Sequence, residues 1–260
     1  MPSLNSPIKN TIVIFYDEGV DKDTLIDAFY AFAAVIDQQK YHVYIVDAAY
    51  LNTTSWETRT CLLVIPGGRS LPYYQALGHV GNQRIRAYVE NGGNYLGICA
   101  GAYYGAARTL FAMGTENEVD VTGPLNFYSG MAQGPTYPLP FDYDSDSGVG
   151  PAKLAVEGID QAVTVYFNGG CYFKDTTNSI QHSVLARYID LENQLPAIVM
   201  CNVGKGKAIL SGVHFEVSPQ SRLFHKNRQH TLAQQIIRTD HLRQQLFAKL
   251  LAVFNILTFF

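Results

Sequence analysis

The sequence predicts an α/β fold with a doubly wound, mostly parallel sheet that carries helices on both faces. Over the first hundred residues, short continuous apolar runs alternate with amphipathic segments, as in strands buried on both faces of a parallel sheet and the helices that connect them. One apolar run leads directly into Gly97-Ile98-Cys99-Ala100-Gly101, a spacing typical of a sharp strand-to-helix turn. In such sheets the crossovers are right-handed, and ligands bind at the carboxyl ends of the strands.

The first hundred residues accommodate four strands and their helices. The first strand is predicted at 11–16, and Asp21 or Asp23 can cap the helix that follows, which extends to about residue 39. The apolar residues of this helix recur with the helical period; they are Leu25, Ile26, Phe29, Phe32, Ala33 and Ile36. The remaining elements are strands at 41–46 and 61–65, a helix at 80–91 ended by Gly92-Gly93, and a fourth strand that reaches Cys99.

Residues 111–160 are predicted to form a loop-rich insertion with short strands that covers the ligand cleft. Gly, Pro, Asn and aromatic residues dominate this segment, and no helical period survives in it. Asp142, Asp144 and Asp146 alternate as in a calcium loop, but the glycine and the final Glu of such a loop are missing, which favours a solvated turn. Strands at 162–167, 183–188, 197–201 and 207–210 and a C-terminal helix at 237–257 complete a single predicted domain over 1–260.

Composition and charge argue against several classes of protein. Hydrophobic residues make up 47% of the 260 residues and charged residues 16%, which is enough for a large core. A net charge of −3 without a basic patch argues against a nucleic-acid partner. The N-terminal residues do not form a secretion signal, and the apolar run 250–260 is too short to cross a bilayer. The expected location is the cytoplasm, without a membrane partner, and the aromatic C-terminal end fits a contact in a homo-oligomer.

The four cysteines do not have the spacing of a metal site. Cys61, Cys99, Cys171 and Cys201 lie far apart in the sequence, and we therefore predict no metal and no cofactor. A reducing compartment is the default, although pairing among the four thiols stays open. A role of Cys171 as a resolving thiol for Cys99 rests on reach alone.

Cys99 is the candidate nucleophile. A Cβ on either flanking glycine, Gly97 or Gly101, would collide with the neighbouring strand or helix in a sharp turn. The turn places the sulfur at the edge of the sheet beside a helix N-terminus, whose dipole and free amides favour the thiolate. The alternative is that Cys99 is a small buried apolar residue, as most free cysteines are.

His214 and Glu216 are the candidate base and its orienting carboxylate. They follow a predicted strand and lie two residues apart, so their side chains project to the same side of an extended segment. A carboxylate beside an imidazole fixes the tautomer and stabilises the imidazolium, which is what a thiol nucleophile needs from its base. The alternative is a chance His–Glu pair on the surface.

Two glycine-rich loops complete the candidate site. The amides of Gly68 and Ala100 are the expected oxyanion donors, each worth roughly 3 kcal/mol in the transition state. The alternative for Pro66-Gly67-Gly68 is an ordinary turn that ends a strand. Asn168-Gly169-Gly170 allows the backbone to approach a ligand, and the alternative there is a bulge or turn between short strands. The candidate substrate-binding residues in these loops are Gly67, Asn168, Gly169 and Gly170.

These motifs together resemble the class I glutamine amidotransferase-like superfamily, in which a Cys elbow, a Pro-Gly-Gly loop and a His-x-Glu pair occur in this order on a flavodoxin-like sheet. The segments 64–68, 96–104 and 166–173 look most like the narrower family named for the N-terminal domain of eukaryotic biotin–protein ligases. The resemblance covers residues 11–216 and implies a flavodoxin-like fold with Cys99, His214 and Glu216 as a triad.

Two departures from the superfamily pattern concern the substrate. Glutamine-hydrolysing members carry Gln at the position of Tyr103 and Pro at the position of Phe215, so the triad chemistry can survive here but glutamine specificity is unsupported. Tyr103 becomes a candidate substrate-binding residue in place of that Gln. A Gly-Arg-Gly-type biotin loop is missing, and the chain after residue 216 is too short to hold one, so biotin ligation is not expected.

The resulting expectation is a Cys-His-Glu enzyme that cleaves a C–N amide bond through a thioester. The substrate would be a small-molecule amide or a peptide-like molecule, and an ammonia-accepting synthase or ligase would have to be a separate partner. Two other functions stay open. One is a catalytically silent module that binds a small molecule or regulates a partner, and the other is a different thiol reaction at a reactive carbonyl.

Overall fold

The computed structural model describes residues 8–138, 140–176, 182–226 and 230–259. Predictions that concern residues 1–7, Leu139 of the insertion or Phe260 of the C-terminal run therefore lie outside the described residues. Within the described ranges the chain forms a nine-stranded sheet, a four-stranded sheet and seven α-helices.

The strands and helices have the following bounds. The strands are β1 (Thr11–Phe15), β2 (His42–Val46), β3 (Thr60–Ile65), β4 (Asn94–Ile98), β5 (Ala106–Phe111), β6 (Val119–Thr122), β7 (Tyr128–Gly134), β8 (Val149–Val156), β9 (Ile159–Asn168), β10 (Tyr172–Lys174), β11 (His182–Tyr188), β12 (Pro196–Val203) and β13 (Gly206–Ser211). The helices are α1 (Lys22–Val35), α2 (Ala48–Thr53), α3 (Ser70–Glu90), α4 (Ala100–Gly105), α5 (Arg222–Lys226), α6 (His230–Ile237) and α7 (Asp240–Val253).

The nine-stranded sheet has a parallel half and an antiparallel half. Strands β2-β1-β3-β4-β13 lie in this order and all pair in parallel, which is the flavodoxin-like strand order. Strands β12, β11, β8 and β9 continue the sheet from β13 through antiparallel pairs. The predicted flavodoxin-like α/β class is confirmed, and the antiparallel half extends the parallel sheet.

Helices cover both faces of this sheet. On one face α1 and α7 meet through Phe32 and Phe247, whose ring centroids are 5.0 Å apart. On the other face α2 packs on α3, where the Arg84 guanidinium donates to the carbonyl oxygen of Leu51 at 2.7 Å. In the described part of the chain no helix is long and apolar enough to cross a bilayer.

The first helices differ from their predicted bounds. Asp21 caps α1 by accepting a hydrogen bond from the Thr24 N–H at 2.8 Å, and the helix ends at Val35 rather than near residue 39. Helix α3 begins at Ser70 and not at residue 80, because Pro72 in its first turn is compatible with a helix start. Gly78, with φ 55° and ψ −162°, interrupts α3, so the predicted helix corresponds to its second part.

The C-terminal helix is shorter than the predicted 237–257. Helix α6 ends at Ile237, α7 spans Asp240–Val253, and Asn255 with φ 57° lies just beyond its end in the left-handed region that commonly stops helices. The residues between the two helices include no Gly or Pro, and apolar residues continue on both sides. The break therefore has no marker in the sequence pattern.

The segment 111–160 contains more regular structure than predicted. Strands β6, β7 and β8 lie within it, and β5 begins at Ala106, directly after α4. Strand β8 belongs to the nine-stranded sheet, whereas the smaller sheet has the order β10-β7-β5-β6. The division of the chain into one domain with an insertion stays a prediction.

Candidate active site

The backbone around Cys99 has the geometry of a sharp strand-to-helix turn. Cys99 lies between β4 and α4 with φ 51° and ψ −107°, a backbone conformation that residues other than glycine rarely adopt. A Cβ on Gly97 would lie 2.3 Å from the carbonyl oxygen of Gly101, and a Cβ on Gly101 would lie 1.9 Å from that of Ile65. The collisions expected from the sequence are therefore real at both flanking glycines.

The Cys99 side chain is buried beside the start of α4. The residue is 6% exposed, and its Sγ lies 3.6 Å from the carbonyl oxygen of Asn168. The Cys99 N–H donates to the carbonyl oxygen of Ser211 at 2.8 Å, which ties the turn to the end of β13. Ala100 is the first residue of α4, a position whose N–H has no acceptor inside its own helix.

His214 and Glu216 form a buried pair next to this turn. Nδ1 of His214 lies 2.7 Å from Oε1 of Glu216, and the two residues are 3% and 1% exposed. Burial works to lower the pKa of His214, but the charges and hydrogen bonds of Glu216 and Cys99 outweigh it and hold this pKa well above its usual range. The chance surface pair is thereby excluded, because neither side chain is at the surface.

Gly67 lies where Cys99 and His214 meet. A Cβ on Gly67 would lie 2.6 Å from Cε1 of the imidazole and 3.5 Å from Cβ of Cys99. The Gly67 carbonyl oxygen accepts hydrogen bonds from the Tyr73 hydroxyl at 2.9 Å and from the Asp21 N–H at 3.1 Å. The absence of a side chain at Gly67 therefore leaves the space that the imidazole occupies.

Gly68 is held in a conformation that only glycine adopts readily. Its φ is 137°, and a Cβ there would lie 2.0 Å from the carbonyl oxygen of Gly19. Gly68 and Ala100 both line a cavity of about 20 Å³ over the Cys99 sulfur, which we call the inner cavity. Its other lining residues are Ser70, Tyr103, Thr109, Phe111, Val119, Phe141, Tyr143, Asn168 and Gly169. The inner cavity has room for about one water molecule.

A larger opening, which we call the outer cleft, adjoins the inner cavity. It has a volume of about 660 Å³, and Cys99, His214, Tyr166 and Asp21 are among its lining residues. The backbone N–H of His214 donates to the Tyr166 carbonyl oxygen at 3.0 Å, and the centroids of the two side-chain rings are 5.6 Å apart in an edge-to-face arrangement. Tyr166 thus positions the imidazole from the β9 side.

Aromatic residues of the segment 111–160 cover the nucleophile. Phe141 packs edge to face against Phe111 at 4.9 Å and against Tyr143 at 4.8 Å between ring centroids. The Arg69 guanidinium lies 4.3 Å from the centre of the Tyr143 ring and 3.4 Å from an Asp144 carboxylate oxygen. Sequence reasoning missed Arg69, Phe141 and Tyr143 as site residues; the aromatic composition of the segment was the only signal for Phe141 and Tyr143, and Arg69 had none.

The predicted substrate-binding loop divides into two parts. The Tyr103 hydroxyl donates to the carbonyl oxygen of Gly169 at 3.0 Å, so this side chain supports the loop from within the core. Asn168 and Gly169 line the inner cavity, and the buried Oδ1 of Asn168 has no hydrogen-bond partner among the described residues. Gly170 does not line the inner cavity but packs against the backbone of Gly212, whose carbonyl oxygen would be 1.7 Å from a Cβ on Gly170.

The described residues contain no group of three or more His, Cys, Asp or Glu side chains arranged to hold a metal. All four cysteines are free thiols in this structure. In the acidic run, the Asp142 carboxylate accepts a hydrogen bond from the Asp144 N–H at 3.0 Å, as in a short polar turn.

Comparisons with known proteins bear on this site and its fold. The profile of the family described as "Biotin-protein ligase, N terminal" matches residues 10–258. A protein of Chlamydia muridarum described as uncharacterized is 42% identical over 165 residues, which are 64% of this chain and 64% of that protein. The biotin–protein ligase of Schizosaccharomyces pombe is 35% identical over 215 residues, which are 80% of this chain and 34% of that protein.

Solved structures share the fold at lower identity. A glutamine amidotransferase is 20% identical with a TM-score of 0.54, over 85% of this chain and 98% of that one. A chain of PurLQS from Thermotoga maritima is 15% identical with a TM-score of 0.52, over 89% of this chain and 99% of that one. These likenesses establish the class I glutamine amidotransferase-like fold. The chain spans 64% and 34% of the lengths of the two curated relatives.

Proposed function

The chain belongs to the family of biotin-protein ligase N-terminal domains, and on that premise we propose that it is a Cys-His-Glu hydrolase that cleaves a C–N amide bond. One observation carries the proposal. The His214 imidazole has its Nδ1 2.7 Å from Oε1 of Glu216, and it lies beside Cys99 at Gly67 and in the lining of the outer cleft. An imidazole between a buried carboxylate and a thiol is the arrangement that thiol nucleophiles use for acyl transfer.

The proposed reaction proceeds through a thioester. His214 takes the thiol proton, and the Cys99 sulfur attacks the amide carbonyl carbon, while the N–H groups of Gly68 and Ala100 stabilise the oxyanion. The C–N bond breaks as His214 returns the proton to the leaving nitrogen. Water then attacks the thioester with His214 as base, which releases a carboxylic acid and restores the thiol. Glu216 orients the ring in both halves of the reaction.

The walls of the site support a small-molecule amide or a peptide-like substrate. The outer cleft, at about 660 Å³, can hold such a molecule. The inner cavity holds only about 20 Å³, so the reacting carbonyl enters it only when Phe141 and Tyr143 move aside. Tyr103 stands where glutamine-hydrolysing members carry Gln, and its hydroxyl is already bonded to Gly169. Glutamine is therefore not the favoured substrate.

The relatives support a role beside a larger enzyme. The match to 34% of the length of the Schizosaccharomyces pombe biotin–protein ligase supports a ligase-related role for this chain. Such a role fits a separate synthase or ligase as partner, and we do not assign biotin ligation to this chain itself. A direct test is ATP-dependent transfer of biotin to an acceptor protein, which we expect to be undetectable with this chain alone.

A catalytically silent binding module is the second candidate. The observation that favours it is the Cys99 thiol, which lies 3.6 Å from the Asn168 carbonyl oxygen beneath an inner cavity of about 20 Å³. With its thiol donated to a carbonyl and space for only about one water molecule over the sulfur, Cys99 would not react with a ligand bound in the outer cleft.

Alkylation of Cys99 by iodoacetamide separates the two candidates. Rates are measured from pH 5 to 9 by peptide mass spectrometry in the wild type, in His214→Ala and in His79→Ala, which removes an exposed imidazole as a matched control. For an enzyme, we expect His214→Ala to slow alkylation at pH 7 about tenfold or more and His79→Ala to leave it unchanged. A Cys99 that is indifferent to His214 would move the assignment to the binding module.

A panel of amides then tests the reaction. Intact-mass spectrometry detects an acyl group on Cys99, and product analysis detects the released amine. We expect both signals to disappear in Cys99→Ala. An amidase rate that survives this substitution would show that the proposed nucleophile is wrong.

A further inference from the structure

The base and the carboxylate of the candidate triad lie on an irregular segment. In residues 212–221, between β13 and α5, the chain forms neither a helix nor a strand, yet this segment carries both His214 and Glu216. On the side of Glu216 it borders a cavity of about 260 Å³ between α1 and α7, which we call the rear cavity. Close packing does not fix the segment on that side, so its backbone needs another anchor.

Arg243 of α7 supplies that anchor through the backbone of Phe215. Its Nη1 donates to the Phe215 carbonyl oxygen at 2.8 Å, and Phe215 stands between His214 and Glu216 in the chain. Because Phe215 is 0% exposed, its carbonyl oxygen depends on a partner inside the protein. This one hydrogen bond therefore bears on the orientation of both neighbouring side chains.

The guanidinium of Arg243 is itself held in place. The residue is buried, and its Nε donates to Oδ1 of Asp240 at 2.7 Å. Oδ2 of Asp240 accepts a hydrogen bond from the Gln244 side chain at 2.8 Å. The positive charge also stands among the carboxyl groups of Asp27 and Glu216, which line the rear cavity together with Arg243. A buried guanidinium with its charge paired presents its N–H groups in fixed directions.

Helix α7 and strand β9 form a frame around the same segment. The backbone N–H of Thr164, on β9, donates at 3.0 Å to the hydroxyl oxygen of Thr239, the residue that precedes α7. Further along β9, the Tyr166 carbonyl oxygen accepts the backbone N–H of His214 at 3.0 Å. The segment is thus held by β9 at His214 and by α7 at Phe215, while β9 and α7 are joined to each other.

We propose that Arg243 is a positioning residue: by holding the Phe215 carbonyl, it fixes the hydrogen bond between the two triad side chains on either side of Phe215. Stability alone gives no reason for an arginine here, since apolar side chains of the same volume often stabilise a protein at least as well as a buried ion pair. Orientation gives one, because a displacement of about 1 Å in an active site can slow a reaction about 100-fold.

The consequence for the chemistry rests on the proposed function, whereas the positioning itself does not. Without the contact to Arg243, the Phe215 carbonyl would seek another partner and the irregular segment would shift beside the rear cavity. The distance of 2.7 Å between Nδ1 of His214 and Oε1 of Glu216 would then no longer be maintained. The imidazole would lose its support as the base for Cys99.

NMR of protein with ¹⁵N-labelled histidine tests the positioning directly. The imidazole N–H that His214 shares with Glu216 gives a downfield proton resonance, which is assigned by its loss in His214→Ala. We expect Arg243→Met, which keeps the side-chain length but removes donors and charge, to lose this resonance, and Arg243→Lys, which keeps a donor and the charge, to retain it. Leu250→Ala is the matched control, because it removes buried volume from α7 but leaves both partners of the Phe215 contact in place; it should retain the resonance.

Alkylation of Cys99 by iodoacetamide tests the consequence for the thiol. In Arg243→Met the pH of half-maximal alkylation should rise by about one unit, equal to a reaction about tenfold slower at pH 7. Arg243→Lys should recover at least half of this shift, and Leu250→Ala should keep the profile of the wild type. Urea unfolding ranks the variants by stability, which separates a loss of position from a loss of fold.

The outcomes separate the positioning from the chemistry. A resonance lost in Arg243→Met but kept in Leu250→Ala supports the proposal, whether or not Cys99 reacts with any amide. A resonance that Arg243→Met leaves unchanged, or that both variants lose, overturns it. If the resonance depends on Arg243 while His214→Ala leaves alkylation of Cys99 unchanged, the positioning stands and the proposed function fails. Should Arg243→Met not fold, Asp240→Asn, which releases the guanidinium from its carboxylate, takes its place with the same two outcomes.

Discussion

The parallel half of the nine-stranded sheet and the antiparallel half contribute to the candidate site in different ways. The parallel half supplies backbone: the turn at Cys99, the loop at Gly67 and Gly68, and the end of β13 meet at its carboxyl edge. The antiparallel half, with the smaller sheet, supplies side chains and walls. Strand β9 is last in the sheet order, yet Tyr166 pairs with His214 across an isolated antiparallel bridge.

The backbone of the parallel half fixes the position of Cys99, and the aromatic side chains over the inner cavity control access to its sulfur. Around Cys99, a Cβ added to Gly68, Gly97 or Gly101 would lie at less than van der Waals distance from backbone atoms, so these three positions tolerate no side chain. Over the inner cavity the contacts are between aromatic side chains, which can rotate or be replaced. Substitutions in the first region should therefore damage the fold, and those in the second should change reactivity.

The largest expected effect comes from adding a side chain where α4 packs against the backbone of β3 in the parallel half. Gly101→Ala would place a Cβ 1.9 Å from the carbonyl oxygen of Ile65, and we expect a loss of roughly 4 kcal/mol or more in unfolding free energy. Gly114→Ala is the control: a Cβ there meets open space, so only its φ of 80° is penalised, by about 1–2 kcal/mol. Urea unfolding compares the two variants, and equal losses would contradict the steric argument.

The second largest expected effect is the contribution of Asp27, on α1, to the pH dependence of the unfolding free energy. Its pKa is raised from 3.8 to about 7 in the folded protein, so between these values the folded state keeps a proton that the unfolded state has lost. The unfolding free energy should therefore fall as pH rises from about 4 to about 7, by at most about 1.4 kcal/mol per pH unit, and level off above.

The difference in unfolding free energy between wild type and Asp27→Asn isolates this contribution from other titrating groups. The variant should gain on the wild type as pH rises from 5 to 7 in urea unfolding experiments. A difference that stays constant over this range would mean that Asp27 titrates normally.

Glu216→Gln tests the side-chain part of the site without changing its shape. Without the carboxylate charge, burial dominates and the pKa of His214 should fall, which leaves the imidazole neutral at pH 7. Alkylation of Cys99 at pH 7 should slow about tenfold, equal to about 1.4 kcal/mol. Glu157→Gln, in an exposed turn, is the matched control, and equal pH profiles for the two variants would contradict the role of Glu216.

The smallest expected effect concerns the cover over the inner cavity. Tyr143→Ala removes the ring that packs on Phe141 and Arg69, so alkylation of Cys99 should accelerate about threefold while unfolding free energy changes little. Ser147→Ala, in the same segment, should leave the rate unchanged. An unchanged or slower rate in Tyr143→Ala would mean that access is not limited by this cover.

The comparison also explains which predictions the sequence supported. The alternation of strands and helices over the first hundred residues, a helix cap at Asp21 or Asp23 and the collisions at Gly97 and Gly101 depend on neighbours in sequence or on steric rules for glycine. The structure agrees with them, with Asp21 as the cap. The bounds of the C-terminal helix were wrong because two helices with apolar faces follow each other without Gly or Pro. No predicted element covers the start of strand β5, because the small residues there fit both a helix and a strand.

By itself, the sequence determined the α/β class, the turn at Cys99 and the direction of His214 and Glu216, because each follows from local periodicity or from the absence of a Cβ. Only the tertiary structure decided that Asn168 lies beside the sulfur, that Phe141 and Tyr143 cover it, and that a cavity with Asp27 lies behind Glu216. These features join segments far apart in the chain. Their geometry depends on how two sheets and their helices pack, which no local pattern encodes.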